Sequence, residues 1–126
     1  SSHPLAGQKS VPLKRLVQER FVLTEEGCNY RQVLENDLAA TGQSLNCVME
    51  IGHASFIINA VTRQLGIGLL PLVTLKEALQ RQDISLINVS DYQISLVIQV
   101  IYSTQRRISL PLQVFLSELE HFYLPE

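Results

Sequence analysis

The stretch FVLTEEGCNYRQVLENDLAATG, residues 21–42, contains the order of elements that decides the fold. It opens with an apolar, partly β-branched run that predicts a short buried strand over residues 21–24. From Asn29 onward the apolar residues recur at helical spacing, and Gly42 follows as a suitable C-terminal cap. The predicted helical stripe is broken by one acidic residue and consists of Tyr30, Val33, Leu34, Asp37 and Leu38. The stretch therefore predicts a strand, a polar turn and an amphipathic helix.

The same alternation continues through the rest of the chain. Gly66 is predicted to end the second helix, and Pro71 to stop the third strand. Further strands are predicted at residues 47–51, 67–70, 84–89 and 94–102, and further helices at 56–65, 73–82 and from about Ser109 to Phe122. Continuous apolar strands between amphipathic helices predict an α/β fold. Its sheet should be mixed but mostly parallel, with helices on both faces.

The composition is that of a globular domain. The 126 residues are 46% hydrophobic and 17% charged, which is enough apolar material for a buried core and one domain's worth of chain. A net charge of −2, no Trp and four residues each of Tyr and Phe argue against a nucleic-acid-binding surface on this segment. No apolar run approaches the roughly 20 residues of a membrane helix. We expect no membrane contact.

The cysteines and the N-terminal residues indicate a reducing compartment. Cys28 and Cys47 are too few for a disulfide framework or a zinc site. The segment that begins at Ser1 has no basic and apolar regions of an export signal, so the predicted location is the cytoplasm. Because the chain also begins without Met on a turn-like segment, we expect it to be part of a longer protein.

Two turns of the predicted sheet are candidates for a binding site. Residues 24–29 and 52–55 each connect the carboxyl end of a strand to the start of a helix. Such turns offer free backbone N–H groups and the positive end of a helix dipole, which suit an anion. The alternative is that both are ordinary helix caps. Thr24 either points its hydroxyl into the crevice or caps the backbone, and His53 either binds a ligand or is a partly exposed polar residue.

Patterns that indicate catalysis are missing from the sequence. It contains no Gly-x-Ser-x-Gly elbow, no Walker loop and no G-x-G-x-x-G. Gly66-Ile67-Gly68 precedes a strand, so it does not form a phosphate-binding loop, and adjacent Glu25 and Glu26 suit a solvated helix start better than a catalytic pair. No second ligand lies at metal-binding spacing from His53. We therefore predict a protein that is not an enzyme, with no metal and no cofactor.

Cys28 has two interpretations. At a helix N-terminus its thiolate is favoured, which is the usual setting of a reactive, redox-sensing cysteine. Nothing in the spacing shows that it meets Cys47, and cysteine is also a common small core residue.

Several segments together resemble one family. Residues 21–31 are similar to the strand-to-helix passage that opens the second lobe of LysR-type effector-binding domains. EIGHAS at 50–55, leading to VTRQLGIGLLP at 61–71, resembles the most recognisable stretch of that family, and HPLA at 3–6 a segment late in its first lobe. The last strand and helix, 94–122, resemble the return of the chain to that first lobe. The resemblance covers nearly the whole chain.

The resemblance implies a type II periplasmic-binding-protein-like fold of two α/β lobes joined by two crossovers. The end of the first lobe would then occupy residues 1–20, the second lobe residues 21–91, and the return to the first lobe residues 92–126. The crossovers are expected near Arg20–Val22 and Ser90–Gln93. A DNA-binding helix-turn-helix domain would lie upstream and outside this chain.

The resemblance also implies which residues face the effector. They come from the first turn, the second turn and the third strand: Thr24, Gly27, Cys28 and Tyr30; His53, Ala54 and Ser55; Gly68 and Leu70. Peroxide-sensing members of the family use a cysteine pair near this position. The neighbourhood of Asp37 supplies no second cysteine, which argues against peroxide sensing here.

The function implied is regulatory. A small anionic metabolite would bind between the lobes and favour one lobe orientation, which a homodimer or homotetramer would pass to its DNA-binding domains. The alternative with the same fold is a lobe of a transporter's solute-binding protein.

Overall fold

A computed structural model describes residues 3–97, 99, 101, 103, 105 and 107–123. Its elements alternate as the sequence predicts over the first 80 residues. The strands are β1 (Arg20–Leu23), β2 (Asn46–Glu50) and β3 (Ile67–Gly68); the helices are α1 (Leu13–Leu16), α2 (Asn29–Ala40), α3 (Ala54–Thr62), α4 (Lys76–Gln80) and α5 (Leu110–Tyr123). A 3₁₀ turn, Leu72–Leu75, precedes α4. The predicted third helix is therefore split into a 3₁₀ turn and one short α-helix.

The three strands form a parallel sheet in the order β2-β1-β3. β1 is central, and its last three residues, Phe21, Val22 and Leu23, are at most 2% exposed. A strand that is paired on both edges and covered on both faces needs such a continuous apolar run. Its register pairs Leu23 with Glu50 on one side and Val22 with Gly68 on the other.

Apolar clusters cover both faces of β1. On one face Val22 packs with Ile57 and Ala60 of α3. On the other, Phe21 and Leu23 pack with the N-terminal residues Leu5, Val11 and Leu16. α2 contributes Leu34 and Leu38 to a neighbouring cluster that shares the flanking residues Leu13, Leu45 and Leu69 with it. Helices thus cover both faces, as predicted.

The C-terminal ends of α2 and α3 have the same geometry. At α2 the N–H groups of Gly42 and Gln43 bond to Ala39 and Leu38, at 3.0 and 2.9 Å, and Gly42 has a φ of +72°. This is the Schellman cap that the sequence predicts there. α3 has the same pair of bonds with Gln64 in the left-handed position, at a φ of +63°. The prediction that α3 ends at Gly66 is therefore wrong: α3 ends at Thr62, and its left-handed cap residue is Gln64, two residues before Gly66.

Gly66 is required for a different reason. A Cβ on this residue would lie 2.6 Å from the carbonyl oxygen of Arg20. That oxygen belongs to the backbone of β1 and has no room to move. The glycine thus allows the chain to approach β1 closely where β3 begins.

The structure corrects two further strand predictions. Residues 84–89 form no ladder with β3, and only Val89 makes an isolated parallel bridge, to Val11. Of the predicted last strand, Ile98, Val100 and Tyr102 lie outside the described residues, and those of residues 94–101 that are described adopt no strand. A strand needs a partner for its backbone groups, and the described part of the chain offers none at this position. The predicted last helix is present as α5.

The chain divides into two compact units, Ser1–Leu96 and Val97–Glu126. Residues 3–20 pack into the same core as β1, because Leu5, Val11 and Leu16 contact Phe21 and Leu23. The packing therefore shows no break at residue 20, where the first predicted lobe boundary lies. The assignment of residues 1–20, 21–91 and 92–126 to lobes of a larger domain, and the crossovers at 20–22 and 90–93, remain predictions.

Candidate functional site

The two predicted turns lie side by side at one edge of the sheet. β1 and β2 are parallel and end together, and the N–H of Ile51 donates to the Leu23 carbonyl at 2.9 Å. A Cβ on Gly52 would lie 3.0 Å from Oε1 of Glu25, so the turns themselves are also in contact. The carboxyl ends of both strands therefore meet the N-termini of α2 and α3 at one place.

The first turn, residues 24–28, is partly buried. Gly27 is exposed and has a φ of +89°, and Cys28 is the half-buried N-cap of α2. Thr24 follows the last residue of β1, and its Oγ1 is buried without a hydrogen-bond partner among the described residues. A buried hydroxyl without a partner costs free energy that a ligand can recover, so this oxygen is a candidate contact.

Cys28 and Tyr30 form the other side of this turn. Partial burial opposes ionisation of the thiol, but the Thr24 hydroxyl, the Tyr30 hydroxyl and the N–H groups of Arg31 and Tyr30 together lower the pKa of Cys28. The Thr24 hydroxyl has no hydrogen-bond partner among the described residues. It lies close enough to Cys28 to stabilise the thiolate form of that side chain. Partial burial and the neighbouring Cys28 raise the pKa of Tyr30.

The second turn, residues 52–55, is open to solvent. His53 is the exposed N-cap of α3, and its Nδ1 lies 3.5 Å from Oγ of exposed Ser55. The imidazole meets the ring of Phe56 edge to face at a centroid distance of 6.2 Å. Ala54, the first residue of α3, is half-buried. The structure therefore brings these three residues next to the first turn, with few contacts that fix their side chains.

The two candidates from the predicted third strand have core contacts, but β3 ends at Gly68 and Leu70 lies two residues beyond it. A Cβ on Gly68 would lie 3.1 Å from both Cγ2 of Ile57 and Cγ2 of Val61, so this residue faces α3. Leu70 packs against the cluster of Val22, Ile57 and Ala60. These contacts explain both residues through packing, and a role in effector contact stays a prediction.

Arg31, which the sequence analysis does not single out, lies directly beneath the first turn. Its side chain is 4% exposed, and no other charged side chain in the described residues is buried. Its guanidinium donates to the Thr24 carbonyl, to Glu35 Oε1 at 2.7 Å and to Glu50 Oε1 at 3.2 Å. Burial opposes the charged form, but the two carboxylates outweigh this effect and raise the pKa of Arg31.

The spacing of residues along α2 indicates that Arg31 is buried. The buried positions of α2 are Arg31, Leu34 and Leu38, which are spaced i, i+3 and i+7. The predicted stripe instead includes Val33, which is 39% exposed, and Asp37, which is also exposed. An arginine in phase with two leucines, with a glutamate four residues on, indicates a buried and paired cation.

One cavity in the first compact unit lies away from the two turns. It measures about 440 Å³ and lies between β3 and residues 83–89, with His3, Glu19 and Arg20 at its border. None of the residues of the two turns lines it, but the two other candidate residues, Gly68 and Leu70, do. The cavity therefore adjoins the candidate site at Gly68 and Leu70 and is separate from the two turns.

Within the described residues, no three or more His, Cys, Asp or Glu side chains lie close enough together to hold a metal ion. In the same part of the chain, no helix is long and apolar enough to cross a membrane.

Comparison with known proteins identifies the class. The model of the LysR substrate binding domain matches residues 1–123. The chain therefore belongs to the LysR substrate-binding domain family, in agreement with the resemblance in its motifs.

Relatives of this chain are transcriptional regulators. It is 29% identical over 107 residues to a RuBisCO operon transcriptional regulator of Allochromatium vinosum, covering 85% of this chain and 35% of that protein. It is 29% identical over 117 residues to the HTH-type transcriptional activator CmpR of Synechocystis, covering 93% of this chain and 38% of CmpR. The chain thus spans little more than a third of their length. Both relatives favour regulation over solute transport.

A solved structure shows the same fold. The regulatory domain of Synechocystis CcmR, in complex with 2-PG, aligns with a TM-score of 0.79 at 23% identity. The alignment covers 99% of this chain and 61% of the CcmR chain. The predicted α/β, periplasmic-binding-protein-like fold is therefore confirmed.

Proposed function

We propose that this chain is the effector-sensing part of a cytoplasmic LysR-type transcriptional regulator and that it binds a small anionic metabolite without catalysing a reaction. The observation that carries the proposal is the meeting of two helix N-termini at the carboxyl ends of β1 and β2. The regulators among its relatives support the same function.

An anion fits this edge because neither helix has a side-chain cap. Neither Cys28 nor His53 makes a side-chain capping bond, so the first N–H groups of each helix have no side-chain acceptor from their cap residue, although the His53 carbonyl accepts from the N–H of Phe56 at 3.1 Å. Free N–H groups and the positive ends of two helix dipoles favour negative charge. Glu25 and Glu26 are exposed, so solvent and salt screen their repulsion of a bound anion.

The proposed contacts come mainly from the two turns. The Thr24 hydroxyl gains the partner that it lacks, and His53 and Ser55 adjust their exposed side chains to the ligand. The full proposed set is Thr24, Gly27, Cys28, Tyr30, His53, Ala54 and Ser55, with Gly68 and Leu70 behind them. These residues form one half of a cleft, and the rest of the regulator supplies the other half.

The proposed output is allosteric. The effector favours one orientation of two lobes, and a homodimer or homotetramer passes this bias to DNA-binding domains outside this chain. 2-PG is a suitable first probe because the CcmR regulatory domain, which has the same fold, was solved in complex with it.

Calorimetry on the full-length regulator with 2-PG and a panel of small carboxylates and phosphates tests the proposal. We expect one of these compounds to bind, and Thr24→Val and His53→Ala each to weaken that binding. Unchanged affinity in both variants would remove these residues from the site. A panel without any binder would contradict the anionic class.

A further inference from the structure

We propose that Arg31 is a positioning residue of the effector site, which fixes the first turn by joining the ends of β1 and β2 to the start of α2. The proposal rests on the function proposed above and names a residue that acts through the turn without touching the ligand. Its evidence is the set of partners around one buried guanidinium.

The three partners of Arg31 are not equivalent. Glu35 lies one turn further along α2, so its bond remains within a single helix. The Thr24 carbonyl and the Glu50 carboxylate belong to the ends of two different strands. Because the register pairs Leu23 with Glu50, these two acceptors come from neighbouring positions of the sheet. One side chain thereby connects three elements.

Arginine suits this role for a geometric reason. Its planar fork presents several N–H donors in fixed directions, and here Nε, Nη1 and Nη2 each serve a different acceptor. A lysine ammonium has the same charge but a single donor centre on a flexible stem. It cannot reach the helix and both strand ends in the same geometry.

The guanidinium does not act as the anion ligand. Two carboxylates already balance its charge, and its 4% exposure leaves it little contact with the cleft. It acts on the residue above it: a fixed Thr24 carbonyl also fixes the buried Thr24 hydroxyl beside Cys28. A site is precise when such a supporting bond holds the contacting residue in place.

A matched pair of variants separates positioning from charge. Glu35→Ala and Glu50→Ala each remove one carboxylate from Arg31, and both residues are about equally exposed, at 36% and 45%. Only Glu50→Ala removes a bond between elements. Arg31→Lys keeps the charge and removes the fork. Thermal unfolding of each variant shows whether it remains folded.

The first readout needs no ligand. With Cys47→Ser, Cys28 is the only thiol of this chain, and iodoacetamide reacts with its thiolate. We expect Glu50→Ala and Arg31→Lys to raise the pH midpoint of alkylation by about 0.5 unit or more, and Glu35→Ala to leave it in place or lower it. Loss of a negative charge alone lowers the midpoint in both alanine variants. If the midpoint rises in Glu50→Ala but not in Glu35→Ala, the loss of charge therefore does not explain the rise.

The second readout is the affinity of the full-length regulator for 2-PG. We expect Arg31→Lys and Glu50→Ala to weaken it about tenfold, the lower end of what supporting residues around a bound ion contribute, and Glu35→Ala to change it less than twofold. Equal shifts for the two alanine variants in both readouts would overturn the positioning role. If 2-PG does not bind the unmodified protein, it is not the effector of the proposed function. The alkylation profiles, which need no ligand, then decide the role of Arg31.

Discussion

The turns after β1 and β2 occupy equivalent places in the fold but are stabilised in different ways. The first has a buried guanidinium beneath it that bonds to its backbone. The second consists mostly of exposed residues around His53, and its main support is the packing of α3 below it. One turn is held by directed polar bonds and the other by apolar contact. We therefore expect the first to set the position of a ligand and the second to adapt to its shape.

The largest expected effect concerns the support of the second turn. Ile57 is 0% exposed and packs between Val22 and Gly68. Ile57→Ala should lower the free energy of unfolding by about 2–5 kcal/mol, because it leaves a cavity under α3. Urea unfolding measures the loss. The neighbouring Phe56→Ala is the control, since Phe56 is 61% exposed and should cost far less. Equal costs would mean that packing does not support this turn.

The next effect concerns the support of the first turn. Arg31→Met should lower the free energy of unfolding by about 1–3 kcal/mol, less than for a fully buried ion pair because Glu35 and Glu50 are partly solvated. Arg81→Met is the matched control. Arg81 also bonds a glutamate at 2.8 Å, but this pair is 67% and 82% exposed and should contribute almost nothing. A loss in Arg81→Met as large as in Arg31→Met would contradict the comparison.

A smaller change of opposite sign is expected at Thr24. Thr24→Val replaces a buried hydroxyl that has no partner among the described residues with a methyl group of similar size. The free energy of unfolding should rise by about 1 kcal/mol while affinity for the effector falls. Stability that falls together with affinity would show that the hydroxyl has a structural partner.

The smallest effect is expected at His53. Its side chain is exposed, and its polar contact with Ser55 is long, at 3.5 Å. His53→Ala should change the free energy of unfolding by less than about 0.5 kcal/mol, as is usual at exposed positions. Ser55→Ala should behave in the same way. A loss above 1 kcal/mol in either variant would mean that the second turn is as firmly held as the first.

The sequence predicts most of the first compact unit because its strands are short apolar runs between clear helical periods. β1, β2, α2 and α3 all lie within two residues of the predicted bounds, apart from the earlier end of α3. The expected strand at residues 84–89 is not present as a ladder, since an apolar run shows that a segment is buried but not that a neighbouring strand pairs with it.

The site was only partly predictable for a related reason. The order of strands and helices along the sequence is enough to place Thr24, Cys28 and His53 at one edge of the sheet. Arg31 becomes important only when Thr24 and Glu50 meet around it. Glu50 is 19 residues away in the sequence, and no local pattern relates the two. Helical phase indicates that Arg31 is buried, whereas its partners follow from the sheet register.

The parallel bridge between Val11 and Val89 has a practical consequence. The N–H of Val11 donates to the Asn88 carbonyl at 2.9 Å, and the N–H of Ser90 to the Val11 carbonyl at 3.0 Å. Two further bonds close the same loop, from Leu13 N–H to Asp91 and from the Asn88 amide to the Lys9 carbonyl, at 2.8 and 2.9 Å. A segment whose two ends meet can be exchanged between host proteins without spanning a gap. An exchange of residues 11–90 would have to carry the residues before Val11 as well, because Leu5 packs into the same core.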